Sequence, residues 1–131
     1  MKKITRLFKF KRLLLLLIAM LSLSLSAQTD QQVLQELKKY DIKHPHIVLA
    51  QAKLETGNYT SVLCKKHGNL FGLKKGKSYA KFTDWRQSVK AYKDKVQYKY
   101  KGGDYYVFLR KIGYASDPKY IIKVKKIAEK I

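Results

Sequence analysis

The segment HPHIVLAQAKLETGNYTS, His44–Ser61, decides how the chain is read. Pro45 suits the first turn of a helix, because its missing N–H would have had no intrahelical partner there. Ile47, Ala50 and Leu54 then form one stripe at helical spacing, and Val48, Ala52 and Glu55 form a second beside it. Gly57 fits the C-cap, which puts Glu55 in the last turn, where unpaired carbonyls carry partial negative charge. A carboxylate is disfavoured at that end, and burial against apolar neighbours disfavours its ionised form as well, so both raise its pKa. A glutamic acid that keeps its proton near neutral pH is what a general acid needs to protonate a leaving oxygen. A solvated glutamate at a frayed helix end fits the same local pattern, and the segment alone leaves both open.

Outward from this segment the pattern is mostly helical. VLQELKKYDI places Val33, Leu34, Leu37 and Tyr40 on one face, and Lys43–Pro45 breaks the run. TSVLCKKH is a short helical piece ending at Gly68. NLFGLKKGKSYAKF has two apolar runs separated by KKGK, which predicts a small β-hairpin with Gly76 in its turn. In FTDWRQSVKAYKDKVQYKY, Asp84 is a good N-cap and Gln87 completes a capping box, while Val89, Tyr92, Val96 and Tyr100 recur on one face. Gly102 and Gly103 close that helix. Asp104 caps YYVFLRKI, which stops at Gly113. A last helix is expected to open with Asp117 as cap and Pro118 in its first turn, burying Ile121, Val124 and Ile127. The expected fold class is α+β, mostly helical, with the hairpin forming a small lobe beside a cleft edged by Glu55.

The N-terminus sets the compartment. Six basic residues (Lys2, Lys3, Arg6, Lys9, Lys11, Arg12) precede an apolar run from Leu13 to Leu21, and Ser24, Ser26 and Ala27 close it. This is the pattern of a secretory signal peptide over residues 1–27, with the cut after Ala27. The apolar core falls short of the roughly 20 residues a bilayer crossing needs; retention as an N-terminal anchor is the alternative. Residues 28–131 are then one small domain, in which 23 basic residues stand against 9 acidic ones, a net +14. An exported domain this basic meets anionic polymers such as cell wall, although solvated lysine-rich helix faces account for much of the charge. Cys64 is the sole cysteine, so no intrachain disulfide forms and the core must hold the fold.

Two other chemistries are disfavoured. His44, His46 and His67 lack the three or four ligands at suitable spacing that a zinc site takes, so no metal is expected. VQYKYKGGDYYVF interleaves lysines with aromatics as nucleic-acid binders do, but Val96 and Tyr100 continue one helix face and Tyr105, Phe108 and Leu109 begin another. No nucleic-acid partner is expected.

Four ordered motifs, LAQAKLETGNYTS, GNLFGLK, FTDWRQSVKAY and IGYASDPKYIIKV, resemble the glucosaminidase family of peptidoglycan hydrolases, glycoside hydrolase family 73. That family includes bacterial autolysins and the wall-cutting domain of the flagellar rod-cap protein. The resemblance spans roughly Ile42 to Ile127. It implies a lysozyme-like α+β fold and cleavage of the β-1,4 bond after N-acetylglucosamine in glycan strands. It carries the catalytic acid to Glu55 and a tyrosine that positions substrate or water to Tyr114, and it puts Asn69 and Phe71 on the cleft floor. Each has a plainer reading: Asn69 as a turn cap, Phe71 as core, and Tyr114 with Asp117 as a helix corner. Trp85 is either a sugar-stacking ring or core.

The resemblance leaves the second carboxylate open. Glycosidases usually use two, yet no Asp or Glu lies between Glu55 and Asp84. Asp84 is the nearest candidate, though it is also explained as a helix cap. The expectation is either substrate assistance by the 2-acetamido oxygen or a water reached through Tyr114 and Asp84. The expectation is a monomer acting on peptidoglycan, in the periplasm or outside the cell once the signal is cleaved, without cofactor and without stable membrane insertion. A non-catalytic wall-glycan binder or envelope assembly protein is the alternative.

Overall fold

The computed structural model describes residues 28–131, so the expected signal peptide lies outside the described residues. Six helices and one two-stranded hairpin follow in the order α1 (Asp30–Lys39), α2 (Pro45–Glu55), α3 (Val62–His67), β1 (Lys74–Lys75), β2 (Ser78–Tyr79), α4 (Trp85–Lys95), α5 (Tyr105–Lys111) and α6 (Tyr120–Ala128). This is the mostly helical α+β, lysozyme-like architecture that the sequence implied.

Helix α2 is the centre of the molecule. Val48, Leu49, Ala50, Gln51 and Ala52 are all buried, five consecutive positions covering every side of the helix. Its two apolar stripes serve two clusters. Val48, Leu49 and Ala52 join the main core with Val33 and Leu37 of α1, Val89 and Tyr92 of α4, and Leu70 and Phe71 of the loop between α3 and β1. Ala50 meets Tyr120 and Val124 of α6 on the other side. Burying a side chain such as Phe71 or Leu49 contributes about 1.5–3 kcal/mol each, so these contacts fix where the end of α2 points.

Several boundaries differ from the sequence expectation, each for an identifiable reason. Helix α1 starts a turn earlier, because Thr29 accepts from Gln32 N and donates its own N–H to the Gln32 side chain, a capping box in TDQQ. Helix α4 stops at Lys95 instead of running to Tyr100, and a 3-10 turn, Gln97–Lys99, follows. That tightening lets the Gln97 amide bridge Lys43, accepting from its N–H at 2.9 Å and donating to its carbonyl at 3.1 Å. Helix α6 begins at Tyr120 with Lys119 as cap, not with Asp117. Asp117 instead sits in the preceding turn, taking Lys119 N at 2.9 Å and Lys123 Nζ at 2.7 Å.

The hairpin is shorter than the apolar runs suggested. Lys74 pairs with Tyr79 and Lys75 with Ser78, and Gly76 turns the chain at φ +64. Asn69–Leu73 forms a buried turn below the strands. The ladder continues one step to Ala80 N and Leu73 O at 2.8 Å, which fastens the lobe to the core.

Candidate active site

Glu55 is the final residue of α2. The cap is Thr56, not Gly57, and Gly57 follows it at φ +55. Asn58 N reaches back to Lys53 O at 2.8 Å and Gly57 N to Leu54 O at 3.4 Å, the Schellman pattern that lets a glycine end a helix cleanly. Asn58 and Tyr59 continue in the left-handed region at φ +58 and +68, a conformation that costs a non-glycine residue energy. The Tyr59 hydroxyl holds it there by donating to Asp30 at 2.8 Å, and Lys53 pairs with the same carboxylate at 2.7 Å. The helix end that presents Glu55 is thereby tied to α1.

The carboxyl group itself points under the hairpin lobe. Its Oε2 lies 3.1 Å from where a Cβ on Gly72 would stand, and the Tyr79 ring lies 4.0 Å from the same point. Gly72 also has φ +62, so the backbone favours glycine in NLFG, and a larger residue would push the Glu55 carboxyl. Burial raises the Glu55 proton affinity above that of an ordinary glutamate, and the facing Tyr120 hydroxyl offsets part of that rise. Among the described residues no lysine or arginine forms an ion pair with it. Glu55 is therefore a half-buried carboxyl among neutral neighbours, which is the environment of a proton donor.

Asn69 is fully buried and has no capacity left for a ligand. Its Nδ2 donates to Leu73 O at 2.8 Å and Ala80 O at 3.0 Å, while its Oδ1 accepts from Leu73 N at 3.0 Å and Phe71 N at 3.3 Å. It holds the loop that carries Gly72 and the root of the hairpin, so it positions the lobe and does not line the cleft floor. Phe71 is core, 1% exposed, with its ring 4.6 Å from that of Tyr92. Tyr114 donates to Phe71 O at 2.9 Å and stacks on Tyr120 at 5.6 Å. Its hydroxyl straps the same loop, and burial above all, with lesser contributions from Tyr120 and the Glu55 carboxylate, raises its pKa.

Asp84 and Trp85 belong to a different region. Asp84 caps α4, accepting from Arg86 N at 2.8 Å and pairing with the Arg86 guanidinium at 3.3 Å. It lines a groove with Glu36, Tyr40, Lys90 and Asp94, between α1 and α4, that does not include Glu55. Trp85 is half-buried against the core, with the Arg86 guanidinium 4.6 Å above its ring. The structure thus brings Glu55, Gly72, Tyr79, Tyr114 and Tyr120 together and leaves Asp84 and Trp85 outside. Gly72, Tyr79 and Tyr120 were not singled out from sequence as site residues. The readable signal for Gly72 was a glycine inside an apolar run, which marks a bend or a close approach. Tyr120 read only as part of a helix, and its contact with Glu55 is tertiary.

Among the described residues no group of three His, Cys, Asp or Glu is placed to hold a metal ion. His44 is used otherwise, hydrogen-bonded to the Tyr100 hydroxyl at 2.8 Å and stacked on Tyr105 at 5.3 Å. No described helix is long and apolar enough to cross a membrane.

In comparison with known proteins, the Glucosaminidase family, described as mannosyl-glycoprotein endo-beta-N-acetylglucosaminidase, matches residues 30–131. No curated protein and no solved structure matches the chain.

Proposed function

The chain belongs to the glucosaminidase family of glycoside hydrolases, and from that premise we propose that it is a peptidoglycan hydrolase cutting the β-1,4 bond after N-acetylglucosamine, with Glu55 as general acid. The observation that carries this reading is the Glu55 carboxyl itself, half-buried under Gly72 with its proton held by desolvation. Its proton passes to the glycosidic oxygen as the C1–O bond breaks. The exposed ring of Tyr79, beside this carboxyl on β2, is a platform on which a sugar can stack. Tyr114 acts by holding the Phe71–Gly72 backbone in place and not as a free donor.

The second role falls to the substrate. No carboxylate lies in the stretch between Glu55 and Asp84, and Asp84 faces another groove as a helix cap. The 2-acetamido oxygen attacks C1 as the leaving group departs, giving a cyclic oxazolinium. A water deprotonated by the Glu55 carboxylate then opens it, returning the acid to its starting state with retained configuration. The same chemistry is established among other glycosidases. The basic surface suits a substrate embedded in anionic wall polymers, in the periplasm or outside the cell, and the domain acts as a monomer.

The test is digestion of purified cell wall followed by analysis of the released fragments. Fragments ending in reducing N-acetylglucosamine, lost in Glu55→Gln and retained in Asp84→Asn, support the proposal. Loss of release in a folded Asp84→Asn protein overturns the substrate-assisted form. Equal release by wild type and Glu55→Gln overturns the assignment of the acid.

A further inference from the structure

A buried line of hydrogen bonds crosses the core from the Lys43 backbone to α6. Gln97 Oε1 accepts from Lys43 N at 2.9 Å, and its Nε2 donates to Lys43 O at 3.1 Å and to the Tyr105 hydroxyl at 2.7 Å. Tyr105 and Tyr92 hydroxyls are 2.6 Å apart, Tyr92 reaches Gln51 Oε1 at 2.6 Å, and Gln51 Nε2 reaches the Tyr120 hydroxyl at 3.1 Å. Every buried side-chain polar atom among the described residues has a partner.

The direction of this line is fixed by chemistry. A backbone N–H can only donate and a backbone carbonyl can only accept, so Lys43 allows the Gln97 amide a single orientation. Tyr105 then accepts from Gln97 and has its own proton to give to Tyr92. Tyr92 in turn donates to Gln51 Oε1, which turns the Gln51 amide so that Nε2 donates to Tyr120. Tyr120, having accepted, keeps one proton to donate. Gln51 and Glu55 are one helical turn apart on the same face of α2; Tyr120 is held by Gln51 at 3.1 Å and stacks at 5.6 Å on Tyr114, whose hydroxyl bonds Phe71 O next to the Gly72 that Glu55 Oε2 approaches, so the Glu55 carboxyl is the acceptor at hand for the free proton.

We propose that Gln51 and Tyr120 are positioning residues for Glu55, the Tyr120 hydroxyl donating to one carboxyl oxygen under the direction of Gln51 and so leaving the transferable proton on the other. A carboxyl oxygen that accepts this bond is the carbonyl one in the acid form, so the proton is presented on one side only. When the proton leaves, the same bond strengthens onto the new carboxylate, which favours the transition state over the ground state. The titratable groups that face Glu55 are Tyr120 on α6, Tyr114 in the corner before it and Tyr79 on β2. Burial raises the first two well above the usual tyrosine range, so the donor does not titrate where the enzyme works. The role in catalysis rests on Glu55 being the general acid.

The chain has three glutamates, Glu36, Glu55 and Glu129, so a protein labelled with 13C at the glutamate carboxyl gives three titrating signals, with Glu55→Gln identifying one. In Tyr120→Phe the Glu55 signal is expected to titrate about one pH unit higher, since a donor to the carboxylate is gone. The high-pH limb of cell-wall hydrolysis moves up with it, and kcat falls about tenfold with KM little changed. Gln51→Met moves both in the same direction by less, and the double variant moves them no further than Tyr120→Phe alone. A purely structural role would lower the melting temperature and leave both titrations in place. An unshifted Glu55 signal in folded Tyr120→Phe, or in Gln51→Met should Tyr120→Phe not fold, overturns the proposal, as do additive shifts. If the Glu55 signal shifts while the activity limb stays, the positioning role stands and the general-acid reading falls.

Discussion

Two carboxylates stand at opposite ends of helices, and their surroundings differ in every respect that matters for chemistry. Asp84 precedes α4, where free N–H groups and the helix dipole welcome negative charge, and Arg86 pairs with it in solvent. Glu55 closes α2, where the dipole opposes negative charge, no described lysine or arginine pairs with it and burial raises its pKa. A carboxylate at a helix start is explained by the helix. One held at a buried helix end is a cost to folding, and the protein keeps it against a glycine in a left-handed turn.

The sharpest way to break this contrast is to neutralise each acid in turn. Glu55→Gln is expected to lower hydrolysis by about 10²–10⁴-fold, the worth of a positioned acid. Asp84→Asn, whose side chain still caps, leaves the rate close to wild type. Initial rates on purified wall measure both.

Folding stability is expected to separate the two as well. A carboxyl whose folded pKa is raised binds its proton more tightly in the folded state, so its contribution falls as pH rises through that pKa. Glu55→Gln should therefore be more stable than wild type at about pH 7, and the gap should close towards about pH 4, where the unfolded glutamate is also protonated. Melting temperatures across that range check the sign.

Changes in the lobe test its support of Glu55. Asn69→Ala removes a buried side chain with four hydrogen bonds and leaves backbone groups unpaired, at a cost of about 2–4 kcal/mol in denaturant unfolding. Gly72→Ala places a Cβ 3.1 Å from Oε2 in a left-handed position, costing about 1–2 kcal/mol. Its loss of kcat should exceed what that destabilisation explains. The smallest effect is expected at the other acid, where Asp84→Ala costs about 1 kcal/mol as a lost cap and leaves kcat unchanged.

Much of the helix order was legible because caps and breaks are local chemistry. Pro45, Asp84, Asp104 and Gly68 each act within one turn of their own position. Of the boundaries that moved, the end of α4 was set by a distant partner, Gln97 reaching Lys43, while the starts of α1 and α6 were set by neighbouring residues. Asn69 and Phe71 had two readings each from sequence. Only the core distinguished them, by using all four hydrogen bonds of one and covering the ring of the other.

The sequence by itself determined that an acid would stand at the end of an apolar helix before a glycine, because helix period and capping are properties of neighbouring residues. The tertiary structure decided what faces that acid. Gly72, Tyr79, Tyr114 and Tyr120 arrive from 17 to 65 positions away in the sequence, and no local rule specifies their meeting. It follows from the burial of α2 on all sides, which gathers segments from along the chain around its last turn.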